Sequence, residues 1–141
     1  MTKPILTIIR GLPGSGKTTR ALFLARYHGA MMIDPDALLV EGFEYHYTTE
    51  RYALAKKRCL EMVKTCGIMN CDVVYADVLP AIVDVEQVIN AYCAGWAKPR
   101  IKVLEQQLMT VDESMARNKH AVRREDIERM AREWEPWEGQ G

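Results

Sequence analysis

Residues 11–18 read Gly-Leu-Pro-Gly-Ser-Gly-Lys-Thr, the spacing G-x-x-x-x-G-K-T, and no other stretch constrains the fold as tightly. Glycine lacks a Cβ and takes positive φ without a clash, so the backbone of such a stretch can aim several N–H groups at one point. A phosphate satisfies those donors, and the dipole of a helix that starts directly afterwards adds to the attraction. The motif is meaningful only between a buried strand and a helix. Both are present: Ile5-Leu6-Thr7-Ile8-Ile9 is a short apolar run, and Ala21, Leu22, Leu24 and Ala25 recur at helical spacing. Gly11, Pro13, Gly14, Ser15, Gly16, Lys17, Thr18 and Thr19 are therefore expected to cradle a nucleoside triphosphate. Lys17 is expected on the outer phosphates and the Thr18 hydroxyl on a Mg²⁺ ion.

A chain of 141 residues can bury one sheet between helices but not a second core. The 19 basic and 19 acidic residues cancel, so bulk charge cannot hold the protein on duplex DNA or on an anionic membrane. Any nucleic-acid contact must then be local. Cys59, Cys66, Cys71 and Cys93 show no C-x-x-C spacing and no companion histidines placed for zinc, as expected of a reduced, cytoplasmic protein, and Cys59 and Cys66, seven apart on one helix face, read as small core hydrophobes. Nothing in the sequence resembles a targeting segment or a membrane span, and none is expected.

In chain order, a helix is expected from about Lys17 to Tyr27 with Gly29 as its stop, then a strand over Ala30–Ile33. Asp34-Pro35-Asp36 separates two carboxylates. Asp34 precedes proline, is held extended and suits an N-cap, whereas Asp36 lies just inside the following turn and is free to face outward at the carboxyl end of a strand. Gly42-Phe43-Glu44-Tyr45-His46-Tyr47 is an aromatic connection that either stacks a base or caps the core locally. A helix from about Thr49 to Cys66, ended by Gly67, carries Tyr52, Ala55, Cys59, Met62, Val63 and Cys66 on one side, read as core packing. Cys71–Asp77 reads as a third strand, and its terminal Asp77 stands where a Mg²⁺ water, the loop or plain solvent is the partner. A helix over about Val83–Trp96 and a strand over Arg100–Glu105 with alternating polarity follow, the latter near a sheet edge. Two helical pieces, Asp112–Asn118 and Arg123–Trp134, flank a run with four basic side chains between Arg117 and Arg124. That run suits a solvated surface or a lid over triphosphate. Asn118-Lys119-His120-Ala121 lacks the final aspartate of the guanine-reading motif, which argues against a GTPase.

Taken together, Ile8–Thr19, Ile33–Leu38 and Ala116–Val122 with Ile127-Glu128-Arg129-Met130 behind them resemble the polynucleotide-kinase-like branch of small P-loop kinases, which includes phage and animal enzymes that phosphorylate 5′-hydroxyl ends. The resemblance spans most of the chain. It implies an α/β, three-layer P-loop kinase fold: a parallel sheet of about four strands, helices on both faces and a C-terminal helical lid. One domain would cover residues 1–134, with the lid at about 110–124 and a loose acidic tail at 135–141. It also implies ATP and Mg²⁺ as cofactors, Asp36 as general base, Arg117 as a lid arginine on the ATP phosphates, Lys17 as the third catalytic group and Asp77 with Thr18 on the metal side. Two departures fall on the acceptor side: Val78-Leu79-Pro80 where Thr and Asn often follow the strand-end acid, and Leu39 where end-acting members tend to carry arginine.

The reading that follows is an ATP-dependent kinase whose acceptor is the 5′-hydroxyl of a polynucleotide. A nucleoside, a hydroxymethylated base or another small hydroxyl compound is the alternative acceptor, and a non-catalytic nucleotide-binding module is the alternative class.

Overall fold

The structure, a computed structural model, describes residues 3–41, 44–45, 47–95, 98–118 and 122–138. The elements run β1 (Ile5–Arg10), α1 (Lys17–His28), β2 (Met31–Ile33), a 3-10 turn (Pro35–Leu39), β3 (Val40–Glu41), β4 (Glu44–Tyr45), α2 (Thr49–Ile68), β5 (Val73–Asp77), α3 (Ile82–Cys93), β6 (Arg100–Glu105), α4 (Val111–Arg117) and α5 (Arg124–Glu133). Strands β2, β5, β1 and β6 form one parallel sheet in that spatial order, while β3 pairs antiparallel with β4.

Strand polarity accounts for position in the sheet. β1 and β5 are near-continuous apolar runs and sit in the interior, where both faces are covered. β6 alternates and takes the edge beside β1. Because successive side chains point to opposite faces, Leu6 and Ile8 join Ile33, Val73 and Tyr75 on one face, packed against Cys59, Val63 and Cys66 of α2 and Val85, Val88 and Tyr92 of α3. Ile9, Val74 and Ala76 meet Ala21 and Ala25 of α1 on the other. Each fully buried Leu, Ile or Val contributes about 1.5–3 kcal/mol of transfer free energy. The result is a three-layer α/β fold with α1 on one face and α2 and α3 on the other. Among the described residues no helix is long and apolar enough to cross a membrane.

Several local expectations are corrected. Leu22 is exposed and does not share the inward face of Ala21 and Ala25. Met62 is likewise exposed, outside the core stripe of α2. α3 ends at Cys93; Trp96 lies outside the described residues.

Gly67 does not stop α2, which continues to Ile68. It is instead where α2 and α3 approach closely, since a Cβ there would stand 2.0 Å from the Tyr92 carbonyl oxygen. The tail is tied down over its first residues. The Glu135 amide donates to the Pro80 carbonyl at 2.7 Å, the Trp137 amide donates to Glu105 at 2.6 Å, and Trp137 packs on the core. Residues 139–141 lie outside the description.

Gly67→Ala is expected to force the two helices apart at a backbone contact and to cost about 3 kcal/mol, the upper end of overpacking penalties. The corresponding fall in Tm, roughly 5–10 °C for a chain of this size, is read from a thermal melt; an unchanged Tm would remove the close approach as an explanation for glycine.

Candidate functional site

The loop from Gly11 to Gly16 leaves the carboxyl end of β1 and turns at once into α1. Gly14 and Gly16 take φ of 80° and 85°, values at which any other residue is strained. The Ser15 amide closes the turn onto the Leu12 carbonyl at 3.1 Å. Ser15 Oγ is buried and has no hydrogen-bond partner among the described residues. Lys17 is buried and its Nζ donates to the Leu12 carbonyl at 3.1 Å. Burial lowers the pKa of Lys17, while Asp77, Asp36 and Asp34 oppose that shift.

Asp34 caps the 3-10 turn as its sequence position requires, accepting the Asp36 amide at 2.9 Å. Its other oxygen receives the Thr18 hydroxyl at 3.1 Å, so this carboxylate is more than a cap. Burial pushes its pKa up to about 6, with the neighbouring charge of Asp36 acting in the same direction.

Asp77, at the end of β5 and level with Arg10 in the register, is held from several sides. Its Oδ1 accepts the Tyr52 hydroxyl at 2.5 Å and the Val78 amide at 2.8 Å, and its Oδ2 accepts the Tyr75 hydroxyl at 3.4 Å with Lys56 Nζ at 4.0 Å. Burial raises its pKa against the opposing charge of Lys56 and the Tyr52 hydrogen bond.

These groups surround one cavity of about 600 Å³. The loop and the start of α1 contribute Pro13, Gly14, Gly16, Lys17, Thr18 and Thr19, and the end of α4 contributes Ala116, Arg117 and Asn118. Asp36, Tyr47, Tyr52, Asp77, Val78, Val122 and Met130 complete the lining. The structure thus brings Lys17, Asp36, Asp77 and Arg117 to one space from four separate segments. Gly11 and Ser15 support it from the loop. Arg117 Nη1 rests against Met109 Sδ at 3.9 Å. Asn118 closes the connection after α4 by donating to the Val122 carbonyl at 2.7 Å. His46, Phe43 and the basic Lys119-His120 lie outside the described residues.

Four contributors were not read from the sequence. Tyr52, assigned to the core stripe of α2, turns its hydroxyl into the cavity. Gln106 follows β6 and holds the loop, donating from Nε2 to the Ser15 carbonyl at 2.8 Å and accepting Arg20 at 2.7 Å; its place one residue past a strand's carboxyl end was the available signal. Ser114, fully buried in α4, donates to the Pro13 carbonyl at 2.6 Å. Arg10 lies beneath the loop, with Nε and Nη2 donating to the Leu79 carbonyl at 3.0 and 2.6 Å. The acceptor-side departure Val78-Leu79-Pro80 therefore has two uses: Val78 lines the cavity, and Leu79 and Pro80 serve Arg10. Leu39 is buried in the 3-10 turn.

No family model and no curated protein sequence matches the chain. Solved structures do. A chain of the Pnkp1/Rnl/Hen1 RNA repair complex superposes with a TM-score of 0.72 at 17% identity, over 94% of this chain and 44% of its own length. A sugar kinase from Janibacter sp. HTCC2649 gives 0.66 at 15% identity, over 97% and 80%. A gluconokinase from Sinorhizobium meliloti 1021 gives 0.61 at 16% identity, over 99% and 80%. This chain spans less than half of the RNA-repair chain. At these identities the likeness defines the fold, that of the P-loop kinases.

Ser114→Ala is expected to leave the buried Pro13 carbonyl without its donor and to cost about 1–2 kcal/mol. Faster amide hydrogen exchange in α4 and in the loop, with the sheet unaffected, is the expected pattern; unchanged exchange at both would show that the contact does not hold lid and loop together.

Proposed function

We propose that the chain is an ATP-dependent kinase that transfers the γ-phosphoryl group to a hydroxyl, with the 5′-hydroxyl of a polynucleotide as acceptor. The observation that carries this reading is the convergence of Lys17, Asp36 and Arg117 on one cavity floored by the loop. The residues suit a triphosphate: Gly14, Gly16, Lys17, Thr18 and Thr19 line the cavity, and Lys17 Nζ holds a carbonyl, that of Leu12, which phosphate oxygens can replace. Among the described residues no group of three His, Cys, Asp or Glu side chains is placed to hold a metal. That suits Mg²⁺, which takes one or two protein ligands and fills its sphere with phosphate and water.

Thr18 is the proposed protein ligand, with the Asp34 carboxylate already on its hydroxyl. Asp77, whose Oδ1 is engaged by Tyr52 and Val78 and whose Oδ2 faces Tyr75 and Lys56, would act on that side through water or by orienting the loop. When bound, Mg²⁺ would neutralise charge on the outer phosphates. Lys17, the loop amides and Arg117 would stabilise the charge spread over the transferring group, which is most of what this reaction asks of a protein. Asp36 would accept the proton of the attacking hydroxyl as its oxygen bonds to phosphorus and the bond to the leaving oxygen of ADP breaks.

The likeness to a chain of an RNA repair complex supports a polynucleotide end as acceptor, and the sugar kinase and gluconokinase share the same frame with smaller ones. The test is transfer of label from ATP, with Mg²⁺, to 5′-hydroxyl DNA and RNA oligonucleotides, nucleosides, duplex DNA with hydroxymethylated bases, and gluconate. Label on oligonucleotide 5′ ends supports the proposal. Label confined to the small acceptors keeps the chemistry and replaces the substrate, and ATP binding with no transfer to any of them overturns the kinase assignment.

Asp36→Asn is expected to slow turnover by roughly 10²–10⁴-fold with ATP affinity retained, whereas Lys17→Ala lowers both. Undiminished turnover by Asp36→Asn would remove it as the base. In Gly14→Ala the added Cβ would meet the Arg117 Cβ at 2.7 Å and its carbonyl at 2.8 Å, so loop and lid must part. ATP affinity measured by calorimetry is expected to fall at least roughly tenfold, about 1.4 kcal/mol.

A further inference from the structure

The lining that comes from neither the loop, α1 nor α4 has its own chemistry. It consists of Asp36, Tyr47, Tyr52, Asp77, Val78, Val122 and Met130: two aromatic rings, three apolar side chains and two carboxylates. Among the described residues this part of the lining holds no Lys, Arg or His side chain. Asp36 and Asp77 line this wall, Asp77 with Lys56 Nζ at 4.0 Å, so an uncharged group meets less repulsion here than a carboxylate or phosphate does. A polyol needs many directional partners, and here the Tyr52 hydroxyl is already committed to Asp77 at 2.5 Å. What the surface offers is a largely apolar wall with two aromatic rings next to the Asp36 carboxylate.

Tyr47 is the ring at that wall. It is half-buried, its ring centroid stands 6.1 Å from that of Tyr52 with the planes tilted by 44°, and burial raises the pKa of its hydroxyl, with the charges of Asp126 and Asp36 acting in the same direction. The charges of Arg123 and Arg129 bear on it as well, yet these arginines do not line the cavity; both pair with Asp126 of α5, at 3.4 and 3.7 Å. Apolar surface inside and, beside it, two arginines sharing the one carboxylate of Asp126 match a substrate with an uncharged planar group at its end and phosphate further along.

We infer that Tyr47 is the platform on which the base of the acceptor's terminal nucleoside stacks, with Tyr52 fixing its tilt, so that the enzyme reads a nucleoside end and rejects sugars and sugar acids. This rests on the kinase reading above and narrows its acceptor. Stacking of a base on an aromatic side chain is tolerant of which base it is, because every base has a π-face. The inference therefore assigns selection for a base without selection among bases.

The experiment measures equilibrium binding by fluorescence anisotropy, with Mg²⁺ and a non-hydrolysable ATP analogue present. The probes are a 3′-labelled 5′-hydroxyl tetranucleotide and the same molecule with an abasic first residue. The intact end is expected to bind roughly 5- to 150-fold more tightly than the abasic end. Tyr47→Ala is expected to remove that ratio, and Tyr47→Phe and Tyr47→Trp to keep it. Equal affinity for the two ends in the unaltered protein, binding of neither, or a ratio that survives in Tyr47→Ala overturns the inference. The first two of these need no variant to fold. Base-dependent binding without phosphoryl transfer would overturn the kinase reading alone, and transfer that ignores the missing base would overturn this inference alone.

Discussion

A single guanidinium organises the carboxyl ends of the sheet. Arg10, the last residue of β1, is fully buried, and all five of its N–H donors are used. Nε and Nη2 donate to the Leu79 carbonyl, Nη2 also to the Pro80 carbonyl at 2.9 Å, and Nη1 to Glu105 at 2.9 Å and to the Glu135 carbonyl at 2.7 Å. The Trp134 ring lies 4.2 Å beneath it, a favourable cation–π distance. A buried charge is tolerated only when it is paired and its donors are satisfied, and here one carboxylate and three carbonyls do both. Leu79 adopts φ of 50°, a conformation costly for a side chain with a Cβ, and its carbonyl takes two of the five bonds. Local strain at Leu79 is thus set against satisfaction of the buried cation.

Because Arg10 precedes Gly11 directly, the root of the phosphate loop is fixed to the segment after β5, to the end of β6 and to the chain leaving α5. Near its end, α4 meets the loop through Ser114 and Pro13, and again where the Gly14 backbone lies against that of Arg117. Helix α4 is therefore held to the loop by one hydrogen bond and one close backbone approach, while its Asp112 pairs with Arg124 of α5. Arg117 is left to rest on a thioether, a weak partner that a phosphate can replace.

What was legible in the sequence was local. Strand β6 and the cap at Asp34 follow from periodicity and from the residues adjacent to them, and the loop is a contiguous motif whose glycines have one physical reason. What was not legible depends on partners far along the chain. The five donors of Arg10 cannot be assigned before β5, β6 and the tail are placed. Gly67 reads as a helix stop until α3 is seen to press on it. Tyr52 shares the spacing of a core residue, and only the position of Asp77 turns its hydroxyl toward the cavity. The tail 135–141, acidic and proline-bearing, has the composition of a loose end, yet Glu135 and Trp137 engage through backbone atoms, which composition does not report.

The same division explains why the phosphate donor is easier to infer than the acceptor. The donor side is built largely of backbone N–H groups in one contiguous loop, so the motif alone nearly specifies it, and any chain with that loop presents the same surface. The proposed acceptor side would be built of side chains from separate segments that line the cavity: Asp36 from the 3-10 turn, Tyr47 before α2, Tyr52 within it, Val78 after β5, and Val122 and Met130 from the C-terminal part. Each has an ordinary structural reading in isolation. Their chemistry appears only once the sheet brings the segments to a common edge. A frame shared with a sugar kinase and a gluconokinase can accordingly hold a different acceptor, because the atoms that choose it are not the atoms that make the fold.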